Sequence, residues 1–258
     1  MAIIHETPVL DAEVEALMRR LKMPYARTLA PELLATAKAQ RWEPVEVVRA
    51  LLVEESRGRS AAMLANRRKQ AGFPTGKTFE SWDEDVSSIP TPTQQALSTL
   101  EWVARKENLA VCGPAGTGKS FFLEALGHKI IDEGGRVSWL RLEDLGALIR
   151  AHRPDDAVTK TVERLLRADL VVVDDIGLLP VSEDAAEGLY RLVDAAYEKR
   201  SIAISSNLHP AAFDQLMPKT VATATVDRLL HHAHLVQTSG ESIRLSQAVS
   251  GAGVVALN

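Results

Sequence analysis

Residues 113–120 of this chain read Gly-Pro-Ala-Gly-Thr-Gly-Lys-Ser, and few short segments restrict a fold so tightly. Gly113, Gly118, Lys119 and Ser120 fit the phosphate-loop pattern G-x-x-x-x-G-K-[ST], which works only between a buried strand and the first turn of a helix. Glycines let the backbone curl so that successive N–H groups point at phosphate oxygens that a Cβ would exclude. The lysine reaches the β- and γ-phosphates, the hydroxyl suits Mg²⁺, and the positive end of the helix faces the anion. The flanks meet the requirement. Leu109-Ala110-Val111-Cys112 is an apolar run that predicts a strand, and Phe121-Phe122-Leu123-Glu124-Ala125-Leu126 predicts a helix. A plain Gly-rich turn accounts for neither flank. Gly113, Pro114, Ala115, Gly116, Thr117, Gly118, Lys119, Ser120 and Phe121 are therefore expected to hold a nucleotide.

A second half-site stands downstream. Leu170-Val171-Val172-Val173 is β-branched and apolar, the pattern of a central strand in a parallel sheet, and it ends in Asp174-Asp175. A carboxylate at the carboxyl end of such a strand lies in the crevice where ligands bind. Asp174 is placed to hold Mg²⁺ together with Ser120, and Asp175 is the candidate base that orients an attacking water. The plainer reading is a solvated pair in a turn, since Gly177 and Pro180 follow.

At 258 residues the chain has length for one good-sized core and a smaller module. A single cysteine, Cys112, excludes an intramolecular disulfide and suits a reducing compartment; its plainest role is a small buried hydrophobe. There is no apolar run of membrane-spanning length and no signal-peptide pattern, so a soluble cytoplasmic protein with no membrane partner is expected. The net charge of −4 does not announce a polyanion partner; nucleic-acid contacts would have to come from local basic patches.

The alternation of patterns divides the chain at about residue 78. Residues 1–78 look all-helical. Leu10, Val14, Leu17, Met18 and Leu21 recur at helical spacing up to Pro24, Pro31 is expected to open a second helix, and Pro44 a third that runs toward Met63 and Leu64. Gly72-Phe73-Pro74-Thr75-Gly76 breaks the pattern, and an acidic linker follows. Residues 79–258 begin with a helix expected at 93–106. Strands are then expected at 109–112, 136–140, 170–174, 202–206 and 235–237, with helices between them. That order argues for an α/β fold, a three-layer parallel sheet, behind a small all-helical N-terminal domain.

Two more residues complete the candidate site. Asn207 ends the strand Ile202-Ala203-Ile204-Ser205-Ser206, beside the strand that bears Asp174, and could touch a γ-phosphate or the water; a turn-forming asparagine is the alternative. Arg228, in Asp227-Arg228-Leu229-Leu230, could be supplied to a neighbour's triphosphate; a surface arginine paired with Asp227 is the alternative.

Gly-Pro-Ala-Gly-Thr-Gly-Lys-Ser, Val-Val-Val-Asp-Asp-Ile-Gly, Ser-Ser-Asn-Leu, Asp-Arg-Leu-Leu-His-His-Ala and Gly-Glu-Ser-Ile-Arg-Leu stand in the order seen in IstB-type transposition helper proteins. These are AAA+ P-loop ATPases of insertion sequences, similar to the DnaC helicase loader. Upstream, Leu51-Leu52-Val53-Glu54-Glu55, Arg57, Arg67-Arg68, Gly72-Phe73-Pro74 and Lys77-Thr78-Phe79-Glu80 resemble the family's helical N-terminal module. The resemblance implies a bacterial ATPase that uses ATP and Mg²⁺, assembles as a homo-oligomer on double-stranded DNA, and recruits and stimulates a transposase. It makes Lys119 and Asp175 catalytic, Asn207 the first sensor residue, and Arg228 a finger acting in trans. The sequence departs from the family at Phe121-Phe122, at Asp175 where many AAA+ proteins carry Glu, and at Ile243 before Arg244. The shorter Asp175 side chain would slow hydrolysis without impairing binding.

Arg57, Arg59, Arg67, Arg68 and Lys69 form one basic run; Arg150 and Arg153 belong to a second. Each is either a DNA phosphate contact or ordinary solvated charge. His231, His232 and His234 lack a ligand partner at metal-site spacing and read as residues of a helix end. Three functions remain: a DNA-dependent ATPase that prepares a transposition target, a loader of a replicative helicase, and a nucleotide switch that does not hydrolyse.

Overall fold

The computed structural model describes residues 9–152, 157–177 and 181–243. They fall into two compact units that divide between Asn66 and Arg67, so residues 67–78 lie with the second unit. The first unit is helical. In α1 (Ala12–Arg20) the Asp11 carboxylate caps the first turn, accepting from the N–H groups of Glu13 at 3.0 Å and Val14 at 3.2 Å. α2 (Pro24–Gln40) opens at Pro24; Pro31 lies inside the helix and does not start it. Met23, at the N-cap, offers no side-chain acceptor. The Glu55 carboxylate reaches over from α3 (Pro44–Ala71) and accepts from the N–H groups of Tyr25 and Ala26, each at 3.0 Å. A long-range acid thus replaces the local cap, so no capping residue precedes Pro24 in the sequence.

Past the end of α3 the second unit continues with a single turn at Phe79–Ser81, then α4 (Thr91–Ser98) and α5 (Glu101–Ala104). The one helix expected over 93–106 is two, because Leu100 adopts a left-handed conformation at φ 60°. The break turns Trp102 into the core, where its indole N–H donates to Leu97 O at 3.0 Å. The alternating part follows: β1 (Asn108–Cys112), α6 (Lys119–Asp132), β2 (Val137–Arg141), α7 (Leu142–His152), α8 (Val158–Leu165), β3 (Leu170–Ile176), α9 (Glu183–Ala196), β4 (Ser201–Ser206), α10 (Lys219–Leu230) and β5 (Ala233–Gln237). The strands form one sheet in the order β2-β3-β4-β1-β5, and every pairing is parallel.

Both faces of the sheet are covered. Ala110, Cys112, Val171, Val173, Ile202 and Ile204 join Leu145, Ile149, Leu189, Leu192 and Leu229 in one buried cluster on the side of α7, α9 and α10. Their strand neighbours Leu109, Val111, Val172 and Ala203 are equally buried and point the other way, so a second layer must cover them. α6 packs against β2, β3 and β4. The result is a helix–sheet–helix sandwich in which the carboxyl ends of β1, β3 and β4 open side by side. No helix among the described residues is long and apolar enough to cross a membrane.

Candidate active site

The loop after β1 wraps the start of α6. Gly113 sits at φ 147°, and a Cβ there would lie 2.3 Å from the Thr238 carbonyl oxygen. Gly118 sits at φ 89°, and a Cβ there would press on the Trp82 ring at 3.2 Å. The positive φ disfavours a side chain at both positions; at Gly113 the neighbouring space is filled as well, and at Gly118 the Trp82 ring would have to give by a few tenths of an ångström. Thr117 ties the loop from behind, donating to Pro114 O at 2.9 Å and meeting the Thr238 hydroxyl at 2.7 Å. Ile243 N–H donates to Gly116 O at 3.1 Å.

Lys119 is buried, and its ammonium donates to Gly113 O and Pro114 O at 2.7 Å and to Asn207 Oδ1 at 2.9 Å. The Ser120 hydroxyl donates to Asp174 Oδ1 at 2.8 Å. Lys119 and Ser120 on α6, Asp174 and Asp175 at the end of β3, and Asn207 after β4 are thus gathered from segments far apart in sequence. They share a cavity of about 400 Å³. Ala115, Gly116, Gly118 and Phe121 line it as well, while Gly113, Pro114 and Thr117 shape the loop behind it. Arg228 is not in this cavity. It lies on α10, paired with Asp194 at 2.9 Å rather than with Asp227, and its guanidinium stands 5.7 Å from the Tyr190 ring centre.

Several further side chains stand in or behind this cavity. Trp82 packs edge-on against Phe121, ring centres 5.0 Å apart, and its indole N–H donates to Gln94 Oε1 at 2.6 Å. Lys77 holds its ammonium 4.7 Å from the centre of the same Phe121 ring. Glu124, buried in α6, accepts from Thr75 N–H at 3.0 Å and Thr75 Oγ1 at 2.7 Å, and also from Gly76 N–H, fixing this segment over α6. Arg141, at the end of β2, pairs with Asp175 at 3.6 Å. Ser205 of β4 bonds to both site carboxylate residues. Arg141 and Ser205 reach the site carboxylate residues from the two strands that flank β3, and local spacing does not encode strand order. Burial pushes the Cys112 thiol up to about 11, with Lys119 opposing weakly, so it remains an inert core thiol.

The basic residues are less free than their spacing suggests. Arg59 pairs with Glu55 at 2.7 Å, Arg68 pairs with Asp132, Arg67 donates to the carbonyls of Gly134 and Gly135, and Arg150 pairs with Asp184 at 2.8 Å. Arg57 and Lys69 are exposed on α3. Arg153 and Arg244 lie outside the described residues. His234 is in β5, bonded to Glu107 at 2.7 Å, whereas His231 and His232 follow the end of α10.

The model of the IstB-like ATP binding protein family matches residues 16–251. A protein of Pseudomonas aeruginosa, named as an ATP-binding protein of insertion sequence IS21, is 34% identical over 248 residues, covering 95% of this chain and 93% of its own length. Among solved structures, a DNA replication initiation factor superposes with a TM-score of 0.54 at 18% identity, over 70% of this chain and 55% of the other, so the chain spans little more than half of that structure's length. The DnaC helicase loader superposes with a TM-score of 0.51 at 16% identity, over 64% of this chain and 98% of the loader. These structural likenesses show an AAA+ P-loop fold. The family match extends through both units and the loop, strand ends and α10 described above, and the chain accordingly belongs to the IstB-like family, as an AAA+ P-loop ATPase.

Proposed function

We propose that the protein is an ATP-dependent transposition helper: it binds duplex target DNA as a homo-oligomer and recruits a transposase. The observation that carries the proposal is the convergence of Lys119, Ser120, Asp174, Asp175 and Asn207 at three adjacent strand ends in a chain of the IstB-like family. The loop amides and Lys119 hold the ATP phosphates, with Lys119 also offsetting charge that develops during transfer. Asp175 orients and deprotonates the attacking water, and Asn207, already bonded to Lys119, aligns it with the γ-phosphate. The pocket donors suited to a metal are the Ser120 hydroxyl and the Asp174 carboxylate, hard oxygens 2.8 Å apart, and the described lining includes no sulfur or imidazole. That donor set fits Mg²⁺, which when bound neutralises phosphate charge.

Two surface features support assembly. Arg228 lies away from its own cavity, as a residue serving a neighbour's cavity would. Val45, Val48 and Leu52 recur along α3 and are exposed, as are Val14, Leu17 and Leu21 on or beside α1. Apolar side chains that recur on one helix and stay in water suit a protein that self-associates. DNA phosphates would be met by exposed basic side chains of α3, among them Arg57 and Lys69, which form no ion pair among the described residues; Arg59, Arg67, Arg68 and Arg150 would first have to leave their partners. Gel filtration and electron microscopy with duplex DNA, with and without ATP, test the reading: ATP-dependent assembly on DNA supports it, and a monomer under all conditions opposes it. Binding should weaken steeply with salt, and Arg57→Gln with Lys69→Gln should reduce the log–log slope by about two units, near one per phosphate contact. An unchanged slope places the DNA surface elsewhere.

A further inference from the structure

We propose that Ser205 is a positioning residue for ATP hydrolysis, a single buried hydroxyl that sets both site carboxylates at once. The inference rests on the roles given above to Asp174 and Asp175. Its observation is independent of the phosphate loop. β3 and β4 run in register from Leu170 to Val173, and the register then shifts before Ile176. Asp175 lies in that irregularity at φ 60°, a left-handed conformation that a residue with a Cβ adopts at some cost. Taken out of the ladder, the Asp175 N–H needs another acceptor, and it donates to Ser205 Oγ at 3.1 Å. The same hydroxyl donates to Asp174 Oδ1, the oxygen that also accepts from Ser120.

A hydroxyl has one proton to give and lone pairs to receive, and Ser205 uses both functions here. It is 1% exposed and Asp174 is 4% exposed, so both bonds lie in the interior, where leaving a polar group unpaired is costly. One bond fixes the Asp174 carboxylate against Ser120. The other holds the backbone turn that carries the Asp175 side chain out toward the cavity. A strand serine with only a packing role would need neither. Ser205→Ala removes both bonds and leaves the backbone ladder, in which Ser205 lies opposite Val111, unaltered.

The test uses the full chain as wild type, Ser205→Ala and Ser205→Thr. Binding of a non-hydrolysable ATP analogue is measured in EDTA. Mn²⁺ affinity of the analogue complex is read from the electron paramagnetic resonance signal of free Mn²⁺, and kcat and KM come from phosphate release. Ser205→Ala should bind the analogue as wild type does, lose about 10–100-fold in Mn²⁺ affinity and a similar factor in kcat, and keep its KM, as for other groups that orient metal ligands. Ser205→Thr, which keeps the hydroxyl, should stay within about threefold of wild type on both counts. Wild-type Mn²⁺ affinity and kcat in Ser205→Ala would overturn the proposal, as would a Ser205→Thr protein that melts normally yet is as impaired as the alanine variant. If Ser205→Ala does not fold by circular dichroism, the threonine variant decides on the same two measurements. Lack of analogue binding and turnover in wild type would instead count against the nucleotide roles of the pocket, which separates the two failures.

Discussion

Each residue to which the proposed function gives a part in the cavity is held by a neighbour that can be named. Lys119 is positioned by two loop carbonyls and Asn207, Asp174 by Ser120 and Ser205, and Asp175 by Ser205 and Arg141. Asp175→Asn keeps the size of the side chain and removes its basicity. It should leave ATP affinity unchanged and lower kcat by about 10²–10⁴-fold, the usual contribution of a general base. Lys119→Ala should weaken ATP binding by about 10–100-fold, the loss of hydrogen bonds to charged groups. Fluorescent-nucleotide titration with phosphate release separates the two, and equal turnover in wild type and Asp175→Asn would remove Asp175 from the role of base. The phosphate loop, Asp174, Asp175 and Asn207 were legible in the sequence because each stands in a short motif or at the end of an apolar run. The parts played by Trp82, Arg141 and Ser205 were not: Trp82 lines the cavity from a linker, Arg141 lines it from β2, Ser205 stands behind the two carboxylate residues on β4, and no local spacing encodes strand order.

At the scale of elements, the strands were the most legible, since five β-branched or apolar runs separated by helical stretches leave little choice of fold class. The helix starts were less so. α2 begins at Pro24 under a cap supplied by Glu55, and α4 and α5 are separated by a left-handed leucine where the sequence has no glycine. Burial opposes ionisation of Glu55, but the bonds from Ala26, Arg59 and Tyr25 outweigh it and hold its carboxyl below the usual range. Glu55→Ala should therefore speed hydrogen exchange at the Tyr25 and Ala26 amides, by about tenfold for each 1.4 kcal/mol of lost protection, while Glu55→Gln retains much of it. Unchanged exchange in Glu55→Ala would show that the cap is dispensable.

α6 carries a second test. His128 is buried against Phe73, ring centres 4.2 Å apart, and its Nε2 is buried with no hydrogen-bond partner. Burial lowers its pKa from 6.5, with Glu124 opposing. The folded imidazole thus takes up a proton less readily than the unfolded one, so the stability present above pH 6.5 is lost as the pH falls from there toward the lower folded pKa, with a slope of at most about 1.4 kcal/mol per pH unit. His128→Phe keeps a ring against Phe73 and cannot titrate. Its melting temperature should fall less than that of wild type between pH 8 and pH 5.5, and parallel curves would show that His128 is solvated.

For the whole molecule, the family match and the fold make an ATPase, and the placement of Arg228 on α10 makes its proposed role a matter of assembly. The sequence could suggest a finger acting in trans but could not show that Arg228 lies outside its own cavity, because that depends on how α10 packs against α9. If neighbours complete the site, activity per subunit rises with protein concentration, and duplex DNA raises it further. Arg228→Ala should bind ATP as wild type does and hydrolyse it about 10³–10⁵-fold more slowly, the range for an arginine finger. The most direct measurement mixes Arg228→Ala with Lys119→Ala protein, one supplying an intact pocket and the other the arginine, and follows phosphate release on duplex DNA. Activity well above the sum of the two separate proteins is the predicted result. No gain on mixing, together with wild-type turnover that does not depend on protein concentration, would contradict a site completed between subunits.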